Sequence, residues 1–189
     1  MIENNVDGGA KRWELPQIVS GHSLPLDLPS AAIKVLLRRG IDTQGKLQIF
    51  FDPPHGLPYD PMLLGGMEAA LKRLNQAIDQ HEVVGVFGDF DVDGVTGTAI
   101  IAEGLEAFGV KVLPYIPRRS DEGHGLSPSA IDRLVGEGVS LIVTVDCGVT
   151  SFDEVAYAKE KGADVIITDH HLPLGSLPDA VAIIDDRKR

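Results

Sequence analysis

The stretch VVGVFGDFDVDGVTGTAI, residues 83–100, decides the fold class. It runs an apolar segment, VVGVF (83–87), into three carboxylates on alternate positions, Asp89, Asp91 and Asp93, and then into glycine and threonine. A short β-branched run bounded by turn residues is a buried strand, and the segment TGTAIIAEGLEAFG (96–109) that follows reads as a helix stopped by Gly109. Three acids at the end of a buried strand repel one another and lose hydration unless a counter-charge compensates them. The placement therefore calls for a cation.

Downstream the same alternation repeats. VKVLPYI (110–116) is a strand, PRRSDEGHGLS (117–127) a polar loop, and PSAIDRLVGEG (128–138) a helix with Pro128 in its first turn. LIVTV (141–145), DVIIT (164–168) and AVAII (180–184) are further strands, with a helix over FDEVAYAKEKG (152–162). Strands alternating with helices of about ten residues imply right-handed βαβ units: an α/β fold with a mostly parallel sheet flanked by helices.

Upstream the pattern differs. SAAIKVLLRRG (30–40) is a short helix with Ser30 as a candidate cap and Gly40 at its stop. FFDPPHGLPYDPM (51–62) is proline-rich and reads as an extended loop, and apolar residues at Leu63, Leu64, Met67, Leu71, Leu74 and Ile78 recur at helical spacing. The first dozen residues are polar and read as a mobile start. The expected division is a helical N-terminal extension over 1–80 and an α/β domain over 81–189.

The 189 residues suffice for one compact domain and a small appendage. Apolar residues make up 43% and charged residues 24%, an ordinary globular balance. The net charge of −11 excludes passive binding of a polyanion over the whole surface, so a nucleic-acid partner would need cations or a local basic patch. The single cysteine, Cys147, excludes a disulfide framework and a thiolate zinc site, and reads as a small buried residue. No segment has the length and apolarity of a signal sequence or a membrane span, so a cytoplasmic location without membrane contact is expected.

Function is read from where the acids fall. Asp89, Asp91 and Asp93 follow one strand, Asp146 follows another, and Asp169, His170 and His171 follow a third. Ligands of open parallel sheets bind outside the carboxyl ends of the strands, so three segments deliver side chains to one edge. Carboxylates with one or two imidazoles and no thiolate suit Mg²⁺ or Mn²⁺. Such a set can hold two ions about 3.5–4 Å apart, the arrangement of phosphoester hydrolysis. Gly94 and Gly97 would admit a phosphate close to the backbone, and Thr96 or Thr98 would cap the helix. Adjacent His170 and His171 cannot point the same way; one is expected to ligate metal and the other to support the ligands or face phosphate.

At these residues the chain resembles the DHH phosphoesterase superfamily, whose motifs stand here as Asp89-Phe-Asp-Val-Asp-Gly94, Val145-Asp146-Cys-Gly148 and Asp169-His170-His171. The segments YIPRRSDEGHGLS, IVTVDCGVTS and TDHHLP, with the upstream RRGI, FFDPP and DPMLLGGMEAALKRLNQAI, narrow the resemblance to the RecJ-like single-strand-specific exonucleases. The resemblance implies a nuclease using two Mn²⁺ or Mg²⁺ ions that degrades single-stranded DNA in the 5′ to 3′ direction, with single-strand-binding protein a candidate recruiter. It implies Asp89, Asp91, Asp93, Asp146 and His170 as metal ligands, His171 facing the scissile phosphate, and Asp169 supporting the histidines. Arg118 and Arg119 would meet the DNA backbone, with Gly94 and Thr96 beside the phosphate, and His124, standing where the family more often has tyrosine, would stack on a base or, the favoured expectation, brace the loop. RecJ-like proteins continue where this chain stops at AIIDDRKR, so a C-terminally truncated catalytic domain is expected, and activity of the isolated chain is a separate question. Asp185 and Asp186 occupy a strand-end position without matching a family motif.

Three alternatives stay open. A hydrolase of short oligonucleotides or cyclic dinucleotides would use the same chemistry. A non-catalytic interaction fragment would keep the fold alone. A haloacid-dehalogenase-type phosphatase would use Asp91 of Asp91-Val-Asp-Gly-Val-Thr96 as nucleophile, but no lysine motif precedes the later acidic pair.

Overall fold

The computed structural model describes residues 24, 28–52, 59–118, 120, 122–173 and 175–185. The chain divides into two compact units between residues 58 and 59.

In the first unit, α1 (Ser30–Arg38) and α2 (Gln44–Phe51) gather a small apolar cluster of Leu24, Leu36, Leu37 and Leu47. Ser30 is the first helical residue of α1 and not its cap, a position taken by Pro29 without a side-chain bond. The hydroxyl of Thr43 caps α2 by accepting from the Lys46 N–H at 3.3 Å. The expected loop over 51–62 is therefore shorter at its start, because α2 runs to Phe51; residues 53–58 lie outside the described residues.

The second unit opens with a single 3₁₀ turn, Pro61–Leu63, and α3 (Met67–Asp79). The helical spacing expected from Leu63 onward is interrupted at Gly66, whose φ of 81° begins α3 and whose missing Cβ lets the backbone approach Ile183. Then follow β1 (Val83–Gly88), α4 (Val92–Ala107), β2 (Lys111–Tyr115), α5 (Pro128–Gly136), β3 (Val139–Val145), α6 (Phe152–Glu160), β4 (Asp164–Thr168) and β5 (Ala182–Ile184). The strands form one sheet of order β2-β1-β3-β4-β5, all pairs parallel. The α/β reading holds.

Both faces of the sheet are buried. Phe87, Ile142, Val165 and Ile167 face a cluster with α5 and α6, through Ile131, Leu134, Val155 and Ala158. Val84, Val86, Leu141, Val143 and Ile166 face the other side, with Ala70 and Ala77 of α3 and Leu105 of α4. Double burial is why these strands read as continuous apolar runs.

Arg73 of α3 staples the amino-terminal edge of the sheet. Its guanidinium donates to Glu82 at 2.7 and 3.1 Å, to Asp164 at 2.6 Å and to the Ser140 carbonyl at 3.5 Å. The Ser140 hydroxyl also bonds the Glu82 carboxylate. One buried cation thus ties the starts of β1, β3 and β4 to a single helix.

Strand order determines where a ligand can sit. The chain leaves β1 toward β2 on one side and returns to β3 on the other, so the topological switch point lies between the carboxyl ends of β1 and β3.

Candidate metal centre

Register brings the acids into one row. Gly88 pairs with Val145, Val145 with Thr168, and Thr168 with Ile184. The next residues are Asp89, Asp146, Asp169 and Asp185. The ladder continues through them: Asp89 N–H donates to the Val145 carbonyl at 3.2 Å, Asp146 N–H to Thr168 at 2.9 Å, and Asp169 N–H to Ile184 at 3.2 Å. Adjacent members of the row therefore sit about one strand spacing, ~4.8 Å, apart. The switch point falls between its first two members.

Asp146 leaves the strand with φ of 60°, an uncommon left-handed conformation that aspartate tolerates better than most residues. Its side chain is only 8% exposed, yet its Oδ1 lies 2.9 Å from His170 Nε2 and 3.9 Å from His171 Nδ1. Ligating atoms of Asp146, His170 and His171 all lie within 4.8 Å of one another. Both imidazoles, with rings 4.8 Å apart and steeply inclined at 66°, therefore reach the same carboxylate.

Asp169 organises this corner. One carboxylate oxygen accepts from the N–H groups of His170 and His171 at 2.7 and 2.9 Å and lies 2.8 Å from His171 Nδ1. The other accepts from Val149 N–H at 3.0 Å, tying the loop after β3 to the loop after β4. Burial opposes its charge, but the Val149 and His171 N–H groups and the His171 ring outweigh that and hold the carboxyl below the usual range. The same contact with Asp169 raises the His171 pKa.

Asp91 is the N-cap of α4, accepting from Gly94 N–H at 3.0 Å. The helix thus begins at Val92, four residues before its expected start, and the expected capping by Thr96 or Thr98 is not found. The Thr96 hydroxyl instead donates to the Val92 carbonyl at 2.6 Å, inside the helix. Gly94 is needed for close approach: a Cβ there would stand 2.3 Å from the Asp89 carbonyl oxygen. Asp93 lies exposed in the first turn.

Asp91 and Asp146 show how the charges compete. The amides of the α4 N-terminus, Gly94 first, hold Asp91 below the ordinary carboxylate range. Burial, followed by the nearby charge of Asp91, pushes Asp146 up. A carboxylate disfavoured by a like charge, facing two imidazoles, is a site that a divalent cation relieves. The donors are oxygens and ring nitrogens; Cys147 is buried, with its thiol pushed well up by that burial, and offers no thiolate. The set fits Mn²⁺ or Mg²⁺.

Asp89 is buried, with Oδ1 accepting from Phe90 N–H at 2.7 Å and Oδ2 facing His124 Nδ1 at 3.5 Å. His124 packs on the Phe90 ring with centroids 4.5 Å apart, a contact between two loops that spacing does not foretell. Arg118 is exposed, and its N–H donates to Glu122 Oε1 at 3.0 Å. Arg119 and Asp186 lie outside the described residues. Among the described residues no helix is long and apolar enough to cross a membrane.

Residues 83–188 match the model of the DHH family, N-terminal domain. The chain is 38% identical over 181 residues to the single-stranded-DNA-specific exonuclease RecJ of Bacillus subtilis, covering 94% of this chain and 23% of that protein. It is 40% identical over 167 residues to RecJ of Salmonella typhimurium, covering 88% and 28%. A crystal structure of exonuclease RecJ bound to manganese superposes with a TM-score of 0.63 at 38% identity, over 68% of this chain and 33% of that one. RecJ from Thermus thermophilus in complex with Mn²⁺ gives 0.60 at 34% identity, over 79% and 20%. The chain thus spans about a quarter of the length of the two sequence relatives, 23% and 28%.

Proposed function

The chain belongs to the DHH family, and we propose that it carries the divalent-metal site of a RecJ-type 5′ to 3′ single-stranded-DNA exonuclease. The observation that carries this reading is the convergence of Asp146, His170 and His171 within 4.8 Å at the carboxyl edge of the sheet, beside its switch point. Relatives with that name, one of them solved with manganese, support it.

In this reading Asp89, Asp91, Asp93, Asp146 and His170 hold two Mn²⁺ or Mg²⁺ ions. Bound ions would neutralise the acids, polarise a phosphate oxygen and lower the pKa of water. The protein's own groups do the rest. Asp169 accepts from His171 Nδ1 and favours the protonated ring, so that Nε2–H can donate to a phosphate oxygen as charge develops there. The N-terminus of α4, drawn close by Gly94, turns its amides toward the same edge. Arg118 and Arg119, in the loop after β2, supply fixed positive charge for the DNA backbone that an acidic chain otherwise lacks. Single-stranded DNA is then the substrate, single-strand-binding protein a recruiter, and the cytoplasm the location.

The test is digestion of single strands labelled at the 5′ or the 3′ end, with and without Mn²⁺. Metal-dependent release of label from the 5′ end first is expected. Loss from the 3′ end first, or equal cutting of very short oligonucleotides only, would favour the short-oligonucleotide hydrolase. The coverage of a quarter of the relatives favours one second reading: a metal-binding catalytic domain that cleaves DNA only within a longer chain. It predicts Mn²⁺ binding without strand degradation.

A further inference from the structure

The loop between β2 and α5 contains a conformation that serves one side chain. Gly123 and Gly125 have φ of 76° and 78°, and His124 stands between them. A Cβ on Gly123 would meet nothing within 4 Å, and one on Gly125 only the Ser151 hydroxyl at 3.9 Å. Space does not require glycine at either position; the two left-handed turns do. The loop is closed upstream by Glu122, which accepts from Arg118 N–H at 3.0 Å, bonds the Tyr115 hydroxyl and donates its own N–H to the Arg118 carbonyl at 2.9 Å. A braced loop with two sharp turns has one visible product: the imidazole of His124 is brought to the metal edge.

Its surroundings there are specific. The ring rests on Phe90, which orients it, and Nδ1 faces Asp89 Oδ2 at 3.5 Å. That separation is long for a charge-assisted hydrogen bond. It is the separation expected of two donors on one ion, since ligands about 2.0–2.2 Å from a metal and about 90–110° apart lie roughly 3–3.5 Å from each other. The other Asp89 oxygen accepts from Phe90 N–H, and Oδ2 is the oxygen turned toward the ring. The His124 side chain is 68% exposed and open to an incoming ion.

The geometry points to His124 as a further nitrogen donor of the metal centre, on the Asp89 side, opposite the His170 and His171 imidazoles on the Asp146 side. The inference rests on the proposed metal site and adds a preference. A centre with nitrogen on both flanks favours Mn²⁺ and Co²⁺ over Mg²⁺, which prefers oxygen and keeps its water.

The test is calorimetric titration of the full 189-residue chain with Mn²⁺ and with Mg²⁺, beside His124→Phe, which keeps the aromatic contact with Phe90 and removes the nitrogen, and His170→Ala. Folding of each is checked by circular dichroism. Loss of Mn²⁺ affinity in His124→Phe by roughly tenfold or more, with Mg²⁺ affinity changed less than about threefold, is the expected result. The visible band of the Co²⁺ complex should also change in His124→Phe, since a ligand atom is lost. A second variant, Gly123→Ala, forces an alanine into the left-handed turn and should reproduce the Mn²⁺ loss by displacing the ring. Unchanged Mn²⁺ affinity and an unchanged Co²⁺ spectrum in His124→Phe, or an equal fall for both metals, overturns the added donor. If His170→Ala still loses Mn²⁺ in that case, the proposed function stands without it; failure of the unsubstituted chain to take up Mn²⁺ overturns both.

Discussion

His170 Nε2 stands 2.9 Å from Asp146 Oδ1, although one residue follows β4 and the other follows β3. Parallel pairing of Val145 with Thr168 sets the two loops side by side, and the left-handed turn at Asp146 and the Asp169 bonds to the histidine N–H groups complete the contact. The proposed metal centre is therefore built on register, and it can be disturbed through its ligands or through its frame.

Asp169 belongs to the frame. Its carboxylate holds two histidine amides, the His171 ring and the Val149 amide at once. Asp169→Asn replaces acceptor capacity with an NH₂ donor and should weaken Mn²⁺ binding by about 10- to 100-fold. Thermal unfolding should report a lower midpoint as well, because one buried amide loses its acceptor.

Gly94→Ala should be poorly tolerated. The added methyl would lie 2.3–2.6 Å from backbone atoms of Asp89, which cannot rotate away. A loss of about 1–3 kcal/mol in urea unfolding is expected, in the range of overpacked interiors, together with weaker Mn²⁺ binding as α4 is pushed from β1.

Arg73→Met should cost about 3–5 kcal/mol, because it leaves the mostly buried Glu82 without its partner. Bonding to Arg73 holds the Glu82 pKa below its ordinary value. A group with a lowered folded pKa stabilises the protein above its unfolded value, near pH 4.5, and that contribution is lost as pH falls through the folded pKa. The stability difference between the parent chain and Glu82→Gln should accordingly shrink on acidification below pH ~4. Denaturation midpoints across pH 3–7 measure it.

Arg118→Ala should weaken binding of single-stranded DNA across all sequences and reduce the slope of log affinity against log salt by about 0.7. Fluorescence anisotropy at several salt concentrations, in Ca²⁺ to prevent turnover, reads the slope. An unchanged slope would make the arginine a solvated loop charge.

Much of this is legible from the chain alone. The strands after residue 82 are short apolar runs with turn residues at each end, so their existence and order follow from periodicity. The acids at their ends then mark the edge where ligands bind. The start of α4 is hidden because Asp91-Val-Asp-Gly resembles a loop; only the packing of Gly94 on Asp89 makes glycine a helical residue there. Helix α2 is hidden because QGKLQIFF has little amphipathic contrast and abuts a proline-rich segment. The alignment of Asp185 with Asp169 depends on register, and the approach of His124 to Asp89 on loop conformation, neither of which spacing encodes.

The most direct measurement is Mn²⁺ binding by the unsubstituted chain compared with Asp146→Ala, followed by calorimetry at constant pH. The account predicts tight uptake by the parent and a loss of at least about 100-fold in the variant, as expected when a ligand and not merely its support is removed, with the circular dichroism spectrum unchanged. Equal affinity in the two proteins would contradict it, because Asp146 is the carboxylate on which both imidazoles converge.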